Sequence, residues 1–229
     1  TGVRGCGMDC EFCTVRGKPR FSSPRRIMSL FAAAHEKHRA KILFIVDDLF
    51  GQNRREAIEL CNMLADYQKR MSVKFSVTVQ IRLDRARDSE LLAAMRSANI
   101  RMLAIGFESP IDEELRAMNK RLNPDDMIAL AGIYRKAGFH LHGMFIFGYP
   151  MPEGVDFRMS AAERVRRFRR FIRKARIDTL QVLLPVPLPG TAMYDRLEKQ
   201  GRLLSAECIG LEYYDGNFPV FTPDAPMTP

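Results

Sequence analysis

Apolar positions along this chain follow two alternating periods. Short, nearly continuous apolar or β-branched runs at 41–46, 73–81, 102–107, 140–147 and 179–184 read as buried strands. Between them apolar residues recur at three- and four-residue spacing over 53–70, 88–98, 111–119, 124–137, 160–176 and 191–200, which predicts helices. The punctuation agrees: Asp88 supplies an acidic cap, Asn123-Pro124 divides two helical pieces, and Gly138 and Gly201 stop helices. An earlier, truncated strand would end at Thr1-Gly2-Val3, with 24–39 as its helix.

Strands alternating with helices in this way predict a parallel sheet covered by helices. About six βα units are too few to close an eight-unit barrel. The expected fold is therefore α/β, a partial and open TIM barrel; on pattern alone a doubly wound sheet competes with it. Both architectures gather ligands at the carboxyl ends of the strands. Those ends carry the segment 6–13, Asp47-Asp48, Arg82-Leu83-Asp84, Glu108-Ser109, Gly148-Tyr149-Pro150 and 185–189. Residues 1–204 are expected to form this core and 205–229 an extension opening a downstream region. The chain does not start with methionine, and Thr228-Pro229 reads as the opening of a helix. Both ends are therefore expected to be cut.

Composition changes the picture in three respects. No apolar run approaches the roughly 20 residues of a membrane span, and no apolar signal segment opens the chain. A net charge of +9 is concentrated in 164–176, which holds Arg164, Arg166, Arg167, Arg169, Arg170, Arg173, Lys174 and Arg176. There Val165, Phe168, Phe171, Ile172 and Ala175 are expected to pack on the sheet, with the arginines opposite. That outer face is read as solvated, or as a contact for a further domain, RNA or anionic lipid. Third, the five cysteines are not a disulfide framework: three lie within eight residues, and Cys61 and Cys208 are read as structural thiols. A reducing, cytoplasmic setting follows, with the clustered thiols as metal ligands.

The clustered thiols form Cys6-Gly-Met-Asp-Cys10-Glu-Phe-Cys13, a C-x3-C-x2-C loop. Three thiolates at this spacing can hold one face of a [4Fe–4S] cluster and leave its fourth iron open. A structural zinc site is the alternative, although zinc would want a fourth Cys or His, for which His35 and His38 are distant in sequence. His140 and His142 share one strand face and read as core or pocket-lining groups or, less simply, as a metal pair.

This loop, with Phe12 just before the third cysteine, resembles the signature of the radical S-adenosylmethionine (SAM) superfamily. The resemblance covers essentially the whole chain. Phe44-Ile-Val-Asp47-Asp48-Leu-Phe50 resembles the Phe-x-Asp-Asp-x-Phe version of the SAM-amino-binding motif found in cobalamin-linked members, and departs from the commoner Gly-Gly-Glu. Ile-Gly-x-Glu108-Ser109 resembles a motif near the SAM methionine or ribose. Gly143-Met-Phe-Ile146-Phe-Gly148 resembles one that supports adenine, and Pro-x-Pro-Gly190-Thr191 a turn that shapes the pocket. Arg82 is a candidate partner of the SAM carboxylate, or else a surface arginine.

The resemblance implies cluster ligands Cys6, Cys10 and Cys13, and a SAM site at Phe12, Asp47, Asp48, Arg82, Glu108, Ser109, Gly143, Ile146 and Gly148. It also implies reductive cleavage of SAM to a 5′-deoxyadenosyl radical. The likeness is strongest to cobalamin-linked methylases and mutases of unactivated carbons, whose corrinoid domain would precede Thr1. Such an enzyme takes a small-molecule or lipid substrate and a one-electron reductant such as flavodoxin or ferredoxin. A tRNA methylthiotransferase and a non-catalytic metal-binding module are the alternatives.

Overall fold

The computed structural model describes residues 2–204 and 209–228. Thr1, Cys208 and Pro229, each given a role above, lie outside the described residues. Two short strands, β1 (Val3–Arg4) and β2 (Arg20–Phe21), precede helix α1 (Pro24–His38). Regular alternation follows: β3 (Ile42–Phe50), α2 (Arg54–Arg70), β4 (Ser76–Ile81), α3 (Ser89–Ser97), β5 (Ile100–Glu108), α4 (Asp112–Ala117), α5 (Pro124–Lys136), β6 (His140–Ile146), α6 (Ala161–Ala175), β7 (Thr179–Leu183) and α7 (Ala192–Lys199). The five strands from β3 to β7 form one sheet in chain order, every pair parallel. A parallel sheet whose order equals the chain order, with a helix in each crossover, is a segment of a βα barrel.

The first strand differs from its expected place. Val3–Arg4 pairs antiparallel with Arg20–Phe21 and makes no ladder with β3. Two residues are too few to propagate a ladder. The backbone N–H groups of Gly2 and Val3 instead donate to the buried Asp47 Oδ1 (3.0 Å for Val3).

Burial decides between barrel and doubly wound sheet. Leu43 and Ile45 of β3, Val77, Val79 and Ile81 of β4, and Leu141, Gly143 and Phe145 of β6 are buried, while the residues between them are not. Phe44 and Val46 remain 54% and 62% exposed. One face carries the helices and the other is open, as on the inner side of an incomplete barrel; a doubly wound sheet would bury both faces. On the covered side Phe107, Phe145, Phe168 and Phe171 interlock with ring centroids 5.5–6.0 Å apart.

The helix starts were legible where the cap is a side chain, as it is for α1 to α7 except α4, which Ile111 opens without one. Ser23, Asn53, Asp88, Asn123, Ser160 and Thr191 each accept an N–H from the first turn of their helix. Such a cap contributes about 1 kcal/mol.

Helix α6 carries one correction. Arg164, expected outside, is buried, and Val165, expected on the sheet, is 43% exposed. Arg164, Phe168, Phe171 and Ala175 share the inner face at i, i+4, i+7 and i+11. The buried guanidinium is tolerated because Glu114 lies opposite, 2.7 Å from Nε, with side-chain exposures of 1% and 0%.

Residues 209–228 fold back on the core: Leu203 bridges to Phe221, Val220 and Phe221 are buried, and Asp224 pairs with Arg202 at 2.7 Å. Among the described residues no helix is long and apolar enough to cross a membrane.

Candidate functional site

The cysteine loop runs across the carboxyl ends of the strands, held at each step. Gly5 N–H donates to Asp48 Oδ2 at the end of β3 (2.6 Å), and Gln52 bridges Gly5 and Gly7 through its amide (3.0 and 3.2 Å). Gly5 has φ +92°, a turn conformation that a side chain would resist. Met8 then contacts the Arg82 guanidinium beyond β4. The Asp9 carbonyl accepts from Asn119 Nδ2 (3.2 Å), and Glu11 N–H donates to Met118 O (3.2 Å), both at the end of α4. Finally Met193 N–H, in the first turn of α7, donates to Glu11 O (3.3 Å).

The strongest anchor is the Glu11 side chain. It takes a bidentate pair from Arg196 of α7 (2.9 and 3.1 Å) and the Tyr149 hydroxyl (2.6 Å). Arg196 completes its fork on the carbonyls of Pro150 and Met151 (3.2 and 2.9 Å). Phe12 stands edge-on to the Tyr149 ring, centroids 6.2 Å apart, over a small apolar core of Met118, Met193, Leu197 and Phe221. One side of the loop is therefore a rigid mount. Glu11 and Arg196 were missed at the sequence level, because an isolated Glu and an isolated Arg 185 residues apart leave no local signal, and Tyr149 was placed at a strand end without a role.

The thiols of Cys6, Cys10 and Cys13 are free and partly exposed. Burial pushes the Cys10 thiol above its ordinary range; Lys120 opposes this, while Glu108 and the neighbouring thiols add to it. Cys13 Sγ accepts the Val15 N–H at 3.4 Å. Three soft donors on one loop, with a cation close by, suit a ligand that replaces their protons. Among the described residues no group of three or more His, Cys, Asp or Glu is set to hold a single metal ion. A lone zinc needs its donors converging on one point. A cubane takes one thiolate on each of three irons and leaves the fourth open, and three thiols on one loop are the donor set it needs. His35 is no fourth ligand: it packs on Phe75 and pairs with the Tyr67 hydroxyl at 3.1 Å, between α1 and α2.

Glu108, at the end of β5, has φ +63°, a left-handed conformation that a non-glycine residue adopts at a cost. Its carboxylate folds back over Gly106, where an added Cβ would overlap Oε1, and pairs with Lys120 Nζ at 2.9 Å. Burial works to lower the Lys120 pKa, but Glu108 and Cys10 outweigh it and the ammonium is held above its ordinary range. Lys120 was also missed in the sequence, where it reads as one more cation after a helix. Arg82 pairs with Asp84 at 2.6 Å and feels the charge of Cys6 and Cys10.

The structure therefore brings Cys6, Cys10, Cys13, Phe12, Asp48, Arg82 and Glu108 to the loop and its surroundings. Ile146 ends the adjacent β6, and Gly148 (φ +78°) lies two residues beyond it. Three candidate residues turn elsewhere. Asp47 is buried beneath the N-terminal segment, which uses its Oδ1; burial raises its pKa, against the pull of the two N–H donors. Ser109 is buried and donates to Glu114. Gly143 lies on the covered face, where a Cβ would meet the Phe145 ring at 2.8 Å and Ile177 at 3.1 Å. His140 and His142 lie on one face without converging: His142 Nδ1 is bonded to Thr179 at 2.9 Å, and His140 is 3.6 Å from Asp178.

A sequence profile of the radical SAM superfamily matches residues 2–159. The hopanoid C-2 methylase of Rhodopseudomonas palustris (strain TIE-1) is 30% identical over 208 residues, covering 87% of this chain and 37% of its own length. Among solved structures, the radical SAM methyltransferase TsrM from Kitasatospora setae, with cobalamin and a [4Fe–4S] cluster bound, superposes with a TM-score of 0.72. Its identity is 15%, over 87% of this chain and 38% of its own. The cobalamin-dependent SAM radical enzyme OxsB, with aqua-cobalamin bound, gives a TM-score of 0.59 at 18% identity, over 87% and 29%. The chain thus spans less than two fifths of the length of these relatives.

Proposed function

The chain belongs to the radical SAM superfamily, and from that premise we propose that it is the cofactor-binding core of a cobalamin-linked radical SAM methylase. Cys6, Cys10 and Cys13 hold a [4Fe–4S] cluster; Asp48, Arg82, Glu108, Ile146 and Gly148 line the SAM side. Phe12, Asp47, Ser109 and Gly143 act through packing. The relatives named above, a methylase and two cobalamin proteins, support the cobalamin link. This chain spans less than two fifths of those relatives, and the corrinoid is placed outside it.

Bound at this site, the cluster and SAM supply one-electron cleavage of the sulfonium, with electrons from a flavodoxin- or ferredoxin-class reductant. The chain's own residues do four things. The Glu11–Arg196–Tyr149 anchor fixes the loop, so that the thiols meet the cluster without reordering. Glu108 presents a carboxylate, held by its strained backbone and by Lys120, where an ammonium would be received. Lys120 and Arg82 offset the negative charge that three thiolates bring. The open sheet face receives the substrate, a small molecule or lipid. The setting is cytoplasmic, where thiols stay reduced.

The single observation that carries this reading is the course of the cysteine loop over the carboxyl ends of three strands, with Asp48, Arg82 and Glu108 at those ends. The test is anaerobic reconstitution of the full-length protein, followed by addition of dithionite and SAM. Release of 5′-deoxyadenosine or transfer of a labelled SAM methyl group, both lost in Cys10→Ala, is expected. A cluster that forms while SAM remains intact would overturn the catalytic reading.

A further inference from the structure

The most one-sided charge in the molecule lies far along the chain from the cysteine loop, on α6. At 100° per residue the helix divides cleanly. Arg164, Phe168, Phe171 and Ala175 occupy one arc and are buried. Arg166, Arg167, Arg169, Arg170, Arg173 and Lys174 occupy the opposite arc, and Arg176 caps the helix in a left-handed conformation; all seven are exposed. Arg167 pairs with Glu163 at 3.2 Å. Among the described residues none of the other six has a carboxylate within ion-pair distance. Arg173 reaches only its own helix, at Arg169 O (3.3 Å).

This arrangement is not what solubility requires, since a solvated helix face mixes signs and pairs them at i, i+4. Like charges at neighbouring turns repel, so the face is unfavourable until an anion meets it. The anion it fits is extended and planar. The helical cations from Arg166 to Lys174 span about two turns, roughly 12 Å at 1.5 Å per residue, and Arg176 extends them past the helix end. The arc holds no aromatic ring to stack a base and no Asn or Gln to read one, which leaves a nucleic acid only its guanidinium groups. At its edge Val165 is exposed and Ile172 half-buried, the shallow apolar margin of a helix lying on an interface.

We propose that the outer face of α6 docks this protein on the anionic headgroups of a lipid bilayer. Arg166, Arg169, Arg170, Arg173, Lys174 and Arg176 make the contact, and Val165 lies at the headgroup level. The site is independent of the cluster, and it stands or falls separately from the catalytic reading.

The test is co-sedimentation of the full-length protein with vesicles of phosphatidylcholine alone and of phosphatidylcholine with phosphatidylglycerol. Binding at least tenfold tighter to the anionic vesicles, weakening with added salt, is expected. The triple variant Arg169→Glu, Arg170→Glu, Arg173→Glu should lose that preference. The milder Arg166→Gln, Arg169→Gln, Arg173→Gln variant, which adds no repulsion, should bind in between. Circular dichroism confirms that both are folded. A charge-matched control on exposed positions of α1, Arg25→Glu, Arg26→Glu, Lys37→Glu, should keep it. Equal binding to both vesicle types overturns the proposal. So does a control that loses as much as the α6 variants, since net charge alone would then be responsible. Retention of poly(U) RNA at concentrations where anionic vesicles stay free would overturn it in favour of a nucleic-acid face.

Discussion

Arg196→Met isolates the mount of the cysteine loop. The wild-type guanidinium gives Glu11 a bidentate pair at 2.9 and 3.1 Å, and both side chains keep only 16% of their surface in water. Removing one member of a hydrogen-bonded buried pair costs about 3–5 kcal/mol when burial is complete. Here the residual exposure lets water reach the stranded carboxylate, and the Tyr149 hydroxyl still donates to it at 2.6 Å. The low end applies, and the net cost is about 2–3 kcal/mol. For a chain of this size that corresponds to a fall in melting temperature of about 5–10 °C. A loop released from α7 should also lose the preorganisation of its thiols. Iron loading on anaerobic reconstitution should therefore fall, and Arg196→Lys, which lacks the fork, should lie between. The double variant Glu11→Gln, Arg196→Met should cost less than the sum of the singles. An Arg196→Met protein that melts within about 1 °C of wild type and takes up full iron would refute the reasoning.

Glu114→Gln should destabilise by about 3–5 kcal/mol, because it strands the buried Arg164; the apolar pair Glu114→Leu, Arg164→Met should recover most of this in denaturant titrations. Full loss in the pair as well would mean that the ion pair is not the source. Gly106→Ala should displace Glu108 from Lys120 and weaken SAM binding about tenfold at unchanged fold, the value of one charge-assisted hydrogen bond; unchanged affinity by calorimetry would remove Glu108 from the SAM side. The Cys61 thiol, pushed up to about 12 by burial, stays protonated and shielded across the working pH range. In native cluster-free protein at pH 8, iodoacetamide should modify Cys6, Cys10 and Cys13 and spare Cys61 until denaturant is added. Peptide mapping that finds Cys61 alkylated as fast as Cys10 would contradict its placement in the core.

What was legible in the sequence was local. Strand runs, helix caps and the cysteine loop are each written in fewer than about 20 consecutive residues, so period and punctuation found them. What the sequence concealed depends on distant partners. Arg164 looks like one more arginine of a basic helix; only its phase with Phe168, Phe171 and Ala175 hints that it turns inward, and only Glu114 explains it. Ser109 and Gly143 sit inside motifs that resemble SAM-binding ones, yet the Ser109 hydroxyl is turned by Glu114, and the lack of room for a side chain at Gly143 is set by Phe145 and by Ile177, far off in the chain. Lys120 and Arg196 carry no motif at all. The first strand reads as a truncated member of the parallel sheet because its pattern runs out at the chain start, whereas Val3–Arg4 pairs with Arg20–Phe21 and the backbone donors of Gly2 and Val3 go to the Asp47 carboxylate.

The central claim is that three thiols of one loop hold a cluster whose remaining iron receives SAM. Electron paramagnetic resonance of the reconstituted, dithionite-reduced full-length protein tests it most directly, with SAM added to one of two matched samples. The account predicts about four irons per chain, a reduced-cluster signal that SAM shifts, and loss of both iron and signal in Cys10→Ala. A signal indifferent to saturating SAM, or one that survives Cys10→Ala unchanged, would contradict it.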